Sequence, residues 1–434
     1  MSDRYDCIVV GAGPAGSMAG KVLAENGIDV LILEKHPEIG VPLSCAEAIS
    51  FSGLTSFVPI NPEWVSTYIH KMLLVSPSNI KVKLHHPNAG FVLNRKLFDK
   101  KLAEKAALSG ACVKKNAQAI GLLKNKNRKV CGVKVLETCS ERSESACSER
   151  SESACSERSE STCSERSEST CSERSESNGK EKEYEAGVII GADGVESYVA
   201  RWAGMDFSLE LDQIEACVQY LLGDVEVESD CVEFHLGQNL APGGYTWVFP
   251  KANNRANVGL AMSPDRTSGK KAKEYLDQFV PKRFSNFKII ESMVGAVPCF
   301  DRNRNLVKEN VLLVGDAGRV VDSLSGAGIS NALLSGEIAG SVVSQYIKNG
   351  GLSVSFLRKY YDELMRSKGR LLRFHSFCRA IFLKMTDEDL DAVILFLKRC
   401  FDGKVVTSLE PIPIVKSIFR SNPRLLLLLR HLVW

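Results

Sequence analysis

The stretch Tyr5–Lys35, YDCIVVGAGPAGSMAGKVLAENGIDVLILEK, constrains the fold of this chain more than any other segment. An apolar run, Cys7 to Val10, leads into Gly11, Gly13 and Gly16 in the order G-x-G-x-x-G. A helical run to Asn26 follows, closed by Gly27, and a second apolar run, Val30 to Leu33, ends at Glu34. The pattern is strand, tight turn, helix, strand. In it Gly11 makes the turn, Gly13 lets backbone approach a pyrophosphate, and Gly16 permits close packing of helix on strand. The helix N-terminus aims its N–H groups and partial positive charge at the phosphates. Glu34 ends the second strand, where a carboxylate can accept hydrogen bonds from ribose hydroxyls. A glycine-rich turn in an unrelated α/β protein is the competing reading. The strands on both sides of the glycines favour dinucleotide binding.

The 434 residues allow two or three domains, and 44% hydrophobic with 25% charged residues is ordinary globular composition. No signal peptide is expected, since the first strand begins almost at Met1, and the longest late apolar run, Leu425–Leu429, is far short of a membrane span. The formal charge of +3 hides an asymmetry: a repeat with ten Glu and five Arg carries −5, leaving about +8 elsewhere. That excess suits an anionic ligand or an anionic membrane surface. Nucleic-acid binding has no motif behind it, and the seven His form no cluster. Of 14 Cys, five belong to the repeat and the rest are scattered without a C-x-x-C. Reduced thiols in a cytoplasmic protein, and no metal site, are expected.

Gly40–Ser50 is expected to be a loop leading into a short helix, and Lys71–Leu84 a strand pair around Pro77-Ser78-Asn79. Leu93–Gly110 reads as an amphipathic helix with Leu97, Leu102 and Ala106 on one face and Gly110 at its C-cap. Arg95 near its start reads equally as a phosphate contact or a solvated side chain. Val113–Leu136 reads as strands about a turn at Lys124–Lys129. From Cys139 the octad CSERSESA recurs five times, to Asn178. Period eight matches neither a heptad nor a solenoid unit. Lacking aliphatic side chains beyond Ala, it is expected to be a disordered insertion in a hairpin loop. A redox or metal tether is disfavoured by the C-x7-C spacing.

Tyr184–Gly194 reads as a buried strand ending in a Gly-Ala-Asp-Gly turn that carries Asp193. Ile214–Val227 and Cys231–Leu236 look like strands of a second sheet. In PGGYTWVFPK, Pro242–Lys251, the residues Tyr245, Trp247 and Phe249 alternate at period two and share one strand face, which serves either a core or a ligand. VLLVGD, Val311–Asp316, is a further buried strand, followed by a glycine-rich loop and a small-residue helix. The tail after Gly350 is largely helical and ends in PRLLLLLRHLVW. That end, with Arg424, Arg430 and His431, reads as an interfacial segment or a packed terminal helix.

Three separated motifs agree: G-x-G-x-x-G with Glu34, GADG from Gly191, and VGDAG from Val314 followed by Gly326-x-Gly328-Ile329. Together they resemble the FAD-binding domain of p-hydroxybenzoate-hydroxylase-like flavoproteins. P-x-x-Y-x-W-x-F-P-K with Cys45-Ala46-Glu47 narrows the resemblance to the geranylgeranyl reductase family, and the chain outside the repeat is similar to its archaeal-type phospholipid reductases. The resemblance implies an α/β fold, α+β overall. A Rossmann-like FAD-binding domain (1–70, 90–204 and 305–350) would carry an antiparallel-sheet substrate domain (71–89 and 205–304). A helical C-terminal region (351–434) would follow, with 139–178 as the insertion. It implies FAD contacts at Gly11, Gly13, Ala15, Gly16, Glu34, Cys45, Ala46, Arg95, Ala119, Asp193, Asp316, Gly328 and Ile329, and an isoprenoid facing Tyr245, Trp247 and Phe249. Cys45 is the candidate catalytic residue, as a proton relay or a plain packing thiol. The sequence departs from the family pattern at Ser44, Ala48, Ser323 and Ala327; a Cβ at Ala327 is expected to strain the flavin loop if that position needs a positive φ.

The implied activity is reduction of the C=C bonds of geranylgeranyl chains of an ether phospholipid, at the inner face of the cell membrane. With one dinucleotide fingerprint in the chain, the electron donor docks transiently: reduced ferredoxin, a deazaflavin or NAD(P)H. Three alternatives stay open. They are reduction of another isoprenoid (a menaquinone side chain, geranylgeranyl diphosphate or chlorophyll), FAD-dependent aromatic hydroxylation, and flavin binding without catalysis.

Overall fold

The computed structural model describes residues 3–138, 179–205, 208–267, 269–301, 304–351, 353–406 and 411–421. The octads and the PRLLLLLRHLVW segment lie outside these residues. The chain opens with β1 (Asp3–Val10), α1 (Pro14–Glu25) and β2 (Val30–Leu33). Next come β3 (Ala48–Ser50), α2 (Phe51–Thr55), β4 (Val65–Val75), β5 (Lys81–Leu93) and α3 (Arg95–Leu108). The strands β6 (Cys112–Lys114), β7 (Ala117–Lys124), β8 (Val130–Thr138) and β9 (Gly179–Gly191) precede α4 (Tyr198–Trp202). Then follow β10 (Ile214–Gly223), β11 (Cys231–Leu236), β12 (Tyr245–Lys251), β13 (Arg255–Met262), α5 (Ala272–Arg283) and β14 (Lys288–Pro298). Short strands β15 (Val307–Lys308) and β16 (Val311–Leu313) lead to α6 (Ile329–Lys348). The helices α7 (Lys359–Leu364), α8 (Arg370–Phe382), α9 (Asp387–Phe401) and α10 (Pro411–Ser421) complete the described chain.

The strands form two sheets. In the first, β16-β9-β1-β2-β6 run parallel, with the antiparallel β7-β8-β9 ribbon and β15 attached. The central strands are apolar without alternation, Cys7 to Val10 and Val30 to Leu33 being buried throughout. Both faces are covered, as a parallel sheet requires. One face packs on α1, α6 and α7 through Val9, Ile32, Leu23 and Val343, the other on the ribbon and α4 through Ile8, Leu31, Val133 and Val199.

The second sheet has the order β14-β10-β13-β12-β11-β4-β5-β3. It is antiparallel except where β11 runs parallel to β4. The chain leaves this sheet after β5 to build most of the first domain and re-enters at β10, so no hairpin dictates the direction of β11 against β4. The sheet takes in Ala48–Ser50 and the whole of Val65–Leu93. It therefore reaches past 71–89, the first segment expected from sequence. One face packs on α5 through Val218, Tyr220, Val248 and Phe279; the other carries Ile69, Phe234, Trp247 and Phe249 against Ala46 and Ala48.

The strand pair around Pro77–Asn79 and the helix of Leu93–Gly110 both form. Asn94 caps that helix by accepting from the Leu97 N–H at 3.4 Å. Leu102 and Ala106 are buried with Phe98, which the simple apolar count passes over, and Leu97 is half-buried.

Thr138 and Gly179 sit directly opposite one another at the end of the β8–β9 ladder. The octads therefore leave and return at adjacent strand positions. Replacing residues 139–178 by Asn-Gly should keep FAD content and leave the unfolding midpoint unchanged or raised, because a shorter loop costs less closure entropy. Thermal unfolding checks this; a fall of more than about 4 °C would mean the repeat holds the fold together.

Candidate functional site

The glycine-rich turn behaves as its chemistry requires. Gly11 has φ +102, and a Cβ there would lie 2.3 Å from the Ala192 carbonyl oxygen; a Cβ on Gly16 would lie 1.9 Å from the Gly11 oxygen. A Cβ on Gly13 would meet nothing within 4 Å. Open space thus stands at the N-terminus of α1, in a cradle closed on its other sides. No side chain caps this helix, so its first-turn N–H groups are left for a ligand. Ala15 in that first turn packs against Gly315 and Gly336 on the way to α6.

Glu34 is buried at the end of β2. Its Oε2 accepts from the Ala12 N–H at 3.0 Å, and its Oε1 from the His36 N–H at 3.0 Å, with His36 Nδ1 at 2.7 Å. These contacts aim the carboxylate and leave lone pairs for hydroxyl donors. Ala119 lies two residues along β7 from Ala117, whose N–H donates to the Glu34 carbonyl at 2.9 Å.

Asp316 follows β16. Its carboxylate takes no hydrogen bond from the described residues, and burial raises its pKa, opposed in part by Arg95. Gly328 and Ile329 start α6, another helix whose N-terminus no side chain caps. A Cβ on Gly328 would lie 3.3 Å from Asp316 Oδ1. An orphaned carboxylate between two uncapped helix N-termini fits a ligand with both hydroxyl donors and anionic acceptors. FAD, with its ribityl chain and pyrophosphate, is such a ligand.

Arg95 grips Asp99 with Nε at 2.8 Å and Nη2 at 2.7 Å, and its Nη1 donates to Cys45 Sγ at 3.2 Å. Of the two readings of Arg95, the solvated one fails: the guanidinium is paired and largely covered. The Glu47 N–H also donates to Cys45 Sγ, at 3.2 Å. Burial raises the thiol pKa, with Arg95 pulling the other way. Cys45 is therefore a neutral thiol whose sulfur lone pairs are engaged and whose proton is retained near neutral pH. The Cys45 carbonyl accepts from Gln219 Nε2 at 3.1 Å, and Gln219 Oε1 accepts from Trp247 Nε1 at 2.8 Å. One buried amide thus ties the Cys45 loop to the aromatic strand.

Tyr245, Trp247 and Phe249 share a face of β12, with ring centroids 6.0 and 6.2 Å apart along the row. Phe234 on β11 adds an edge contact to Tyr245 and to Phe249, each at 5.4 Å. The Tyr245 hydroxyl donates to the Ser325 carbonyl in the loop before α6. The aromatic row therefore touches both loops that carry implied cofactor contacts.

Asp193 is committed within the chain. It accepts from Ser197 Oγ at 2.8 Å and from the Val199 N–H at 3.0 Å, holding the turn from β9 into α4. Its role here is to shape the loop whose Ala192 oxygen packs on Gly11. The strain expected at Ala327 is absent: the positive φ of that loop, +68, falls on Gly326, and Ala327 is not among the residues of positive φ. Ser323, at the family's proline position, accepts from the Phe300 N–H at 2.9 Å and meets Ser376 Oγ at 3.2 Å. Asp322 accepts from the N–H groups of Leu324 at 3.0 Å and Ser325 at 2.9 Å and pairs with His375 on α8. Ser44 Oγ donates to the Val294 carbonyl at 2.9 Å.

Glu47 is a hub to which sequence reading assigned no role. It has φ +72, is almost wholly buried, pairs with Lys251, and accepts from Asn257 Nδ2 at 2.7 Å and from the Arg95 N–H at 2.8 Å. Its place beside Cys45 and the lysine closing the aromatic motif were the signals available. Gln219, a lone amide in the apolar run of β10, gave a weaker one. His375 gave none. Among the described residues no group of His, Cys, Asp or Glu could hold a metal ion, and no helix is long and apolar enough to cross a membrane.

Comparison with known proteins identifies the family. Residues 213–297 match the family described as geranylgeranyl reductase catalytic domain, and residues 4–44 the FAD binding domain. The chain is 38% identical to the digeranylgeranylglycerophospholipid reductase of Methanocella arvoryzae over 98% of both chains. It is 35% identical to that of Methanosarcina acetivorans over 100% of this chain and 97% of the relative. The crystal structure of a geranylgeranyl bacteriochlorophyll reductase-like protein from Thermoplasma acidophilum superposes with a TM-score of 0.84 at 28% identity, covering 100% of both chains. The FAD-dependent chondrochloren halogenase, at 16% identity and a TM-score of 0.65 over 86% of this chain and 82% of that one, shares the fold alone. The chain belongs to the digeranylgeranylglycerophospholipid reductase family and is an FAD-dependent oxidoreductase.

Proposed function

We propose that this protein reduces the C=C bonds of geranylgeranyl chains on archaeal-type ether phospholipids, taking electrons from a transiently docked donor such as reduced ferredoxin, a deazaflavin or NAD(P)H. The observation that carries the reading is the buried aromatic row of β12, tied through Gln219 to the Cys45 loop and through Tyr245 to the loop before α6. Gly13, Ala15, Glu34, Asp316, Gly328 and Ile329 would hold FAD, with Ala46 and Ala119 alongside. When bound, FAD supplies the hydride equivalent for reduction of a double bond.

The residues of this chain do the rest. An isoprenoid C=C has no carbonyl to activate it, so positive charge develops on its tertiary carbon as a proton arrives. Aromatic faces stabilise such charge by about 0.5–2 kcal/mol each, and the row presents Tyr245, Trp247 and Phe249. Apolar contact is non-directional and lets a chain slide, so one pocket can serve successive double bonds. Cys45, a protonated thiol fixed by Arg95 and Glu47, holds a proton beside the site. Gln219 keeps the thiol loop and the indole in register.

Trp247→Ala should lower alkene reduction at least about tenfold while FAD content changes little, because the indole packs within the aromatic row and on Gln219, away from the glycine-rich turn, Glu34 and Asp316. Cys45→Ala should retain FAD and change how many double bonds are reduced. Flavin absorbance and product mass read the two effects separately. Equal loss of flavin and activity in Trp247→Ala would reduce the row to core packing.

A further inference from the structure

On β14 neighbouring residues face opposite ways. Met293 is buried, its sulfur 3.9 Å from Gln219 Nε2, the amide that holds both Cys45 and Trp247. Its neighbour Val294 is 75% exposed. This strand is the terminal strand of the second sheet. Phe287, Ile289 and Ile290 beside it are also exposed, at 38%, 47% and 49%, so four large apolar side chains crowd one eight-residue stretch. A β-bulge in the β10 pairing turns both isoleucines outward. An unpaired apolar strand edge of this kind is a liability in water unless something covers it.

The charge around the stretch indicates the cover. Ile289 and Ile290 line an open cleft with Arg255, Lys288, Asn253 and Asp224. Further along the edge, Lys96 reaches Glu291 at 3.2 Å. The cations Arg255 and Lys288 exceed Asp224 at the cleft, and Glu291 already has its partner. Apolar side chains ringed by cations match the acyl boundary and phosphates of an anionic bilayer. Ser44, one residue before Cys45, is bonded to the backbone of the same strand at Val294. A bilayer on this edge would lie one strand from Gln219 on β10, with β10 and β13 between it and the aromatic row of β12.

We propose that the β14 edge docks the enzyme on an anionic lipid bilayer, with Ile289, Ile290 and Val294 entering the interface and Arg255 and Lys288 meeting lipid phosphates. The proposal rests on the reading that the substrate is a membrane lipid, and it adds the surface through which that lipid arrives. Vesicle flotation of the full chain tests it, using phosphatidylglycerol vesicles against phosphatidylcholine vesicles. Wild-type protein should float with the anionic vesicles. The variant Ile289→Ser/Ile290→Ser/Val294→Ser should bind them at least about tenfold more weakly, and Arg255→Gln/Lys288→Gln should lose the preference for phosphatidylglycerol. Ile289, Ile290, Val294 and Lys288 are exposed and Arg255 is half-buried, and none of them touches an implied FAD residue, so both variants should keep their FAD and their activity on detergent-dispersed lipid. Wild-type flotation by either variant, or no flotation of the wild type, would overturn the proposal. Reduction of detergent-dispersed lipid reports on the function independently of either result.

Discussion

A Gly13→Val variant should purify folded and colourless. Gly13 precedes α1 with φ −68 and ψ −176, an extended conformation that valine accepts without strain. A Cβ there meets no protein atom within 4 Å, so the chain itself has room for the new side chain. The room is the space beside the uncapped helix N-terminus where the FAD pyrophosphate must approach backbone N–H groups. A branched side chain in it should weaken FAD binding by at least about 100-fold, roughly 3 kcal/mol. Circular dichroism and flavin absorbance of the same preparation check this. Retention of FAD would place the pyrophosphate elsewhere. The contrasting Gly16→Val variant should fail to fold, since its Cβ would meet the Gly11 carbonyl at 1.9 Å.

Lys251→Met should destabilise the protein by about 3–5 kcal/mol, since it strips the counter-charge from a buried carboxylate. The Glu47 side chain is 3% exposed and that of Lys251 17%, so neither charge is well solvated. Asn257 and the Arg95 N–H would still donate to Glu47, but both are neutral groups and do not offset its charge. Glu47 also holds a left-handed backbone, and its carbonyl accepts from the Leu93 N–H at 2.9 Å. Loosening it should therefore disturb Cys45 on one side and the start of α3 on the other. Urea unfolding measures the cost. Replacing both partners, Glu47→Gln with Lys251→Met, should recover part of it, because no buried charge is then left alone. A single-variant cost below about 1 kcal/mol would show that water reaches the pair.

The parallel sheet and its first helix were legible because local pattern and global fold agree there. Four buried residues in β1 and four in β2 flank a turn that only glycine can make. The aromatic face of β12 was legible for the same reason, a period-two pattern on a single strand. What joins these parts was not. Gln219 contacts Cys45 across 174 residues of chain, and Lys251 contacts Glu47 across 204. Such pairings depend on the sheet order, which no local period encodes. The parallel pairing of β11 with β4 is of the same kind. Asp193 shows a different case: the motif was legible, and its carboxylate also holds the turn from β9 into α4, a role that the motif does not reveal. Ala327 shows how a motif can mislead by one residue, for the left-handed position of that loop is Gly326.

The account's central claim is that one apolar, aromatic-lined site beside the flavin reduces geranylgeranyl chains of an ether phospholipid. The direct test is anaerobic. Chemically reduced, FAD-loaded protein is mixed with digeranylgeranylglycerophospholipid in detergent, and the lipid is read by mass spectrometry. The account predicts products that gain hydrogen in successive pairs, through partly to fully saturated chains. An untouched phospholipid, with a menaquinone side chain or free geranylgeranyl diphosphate reduced under the same conditions, would contradict it.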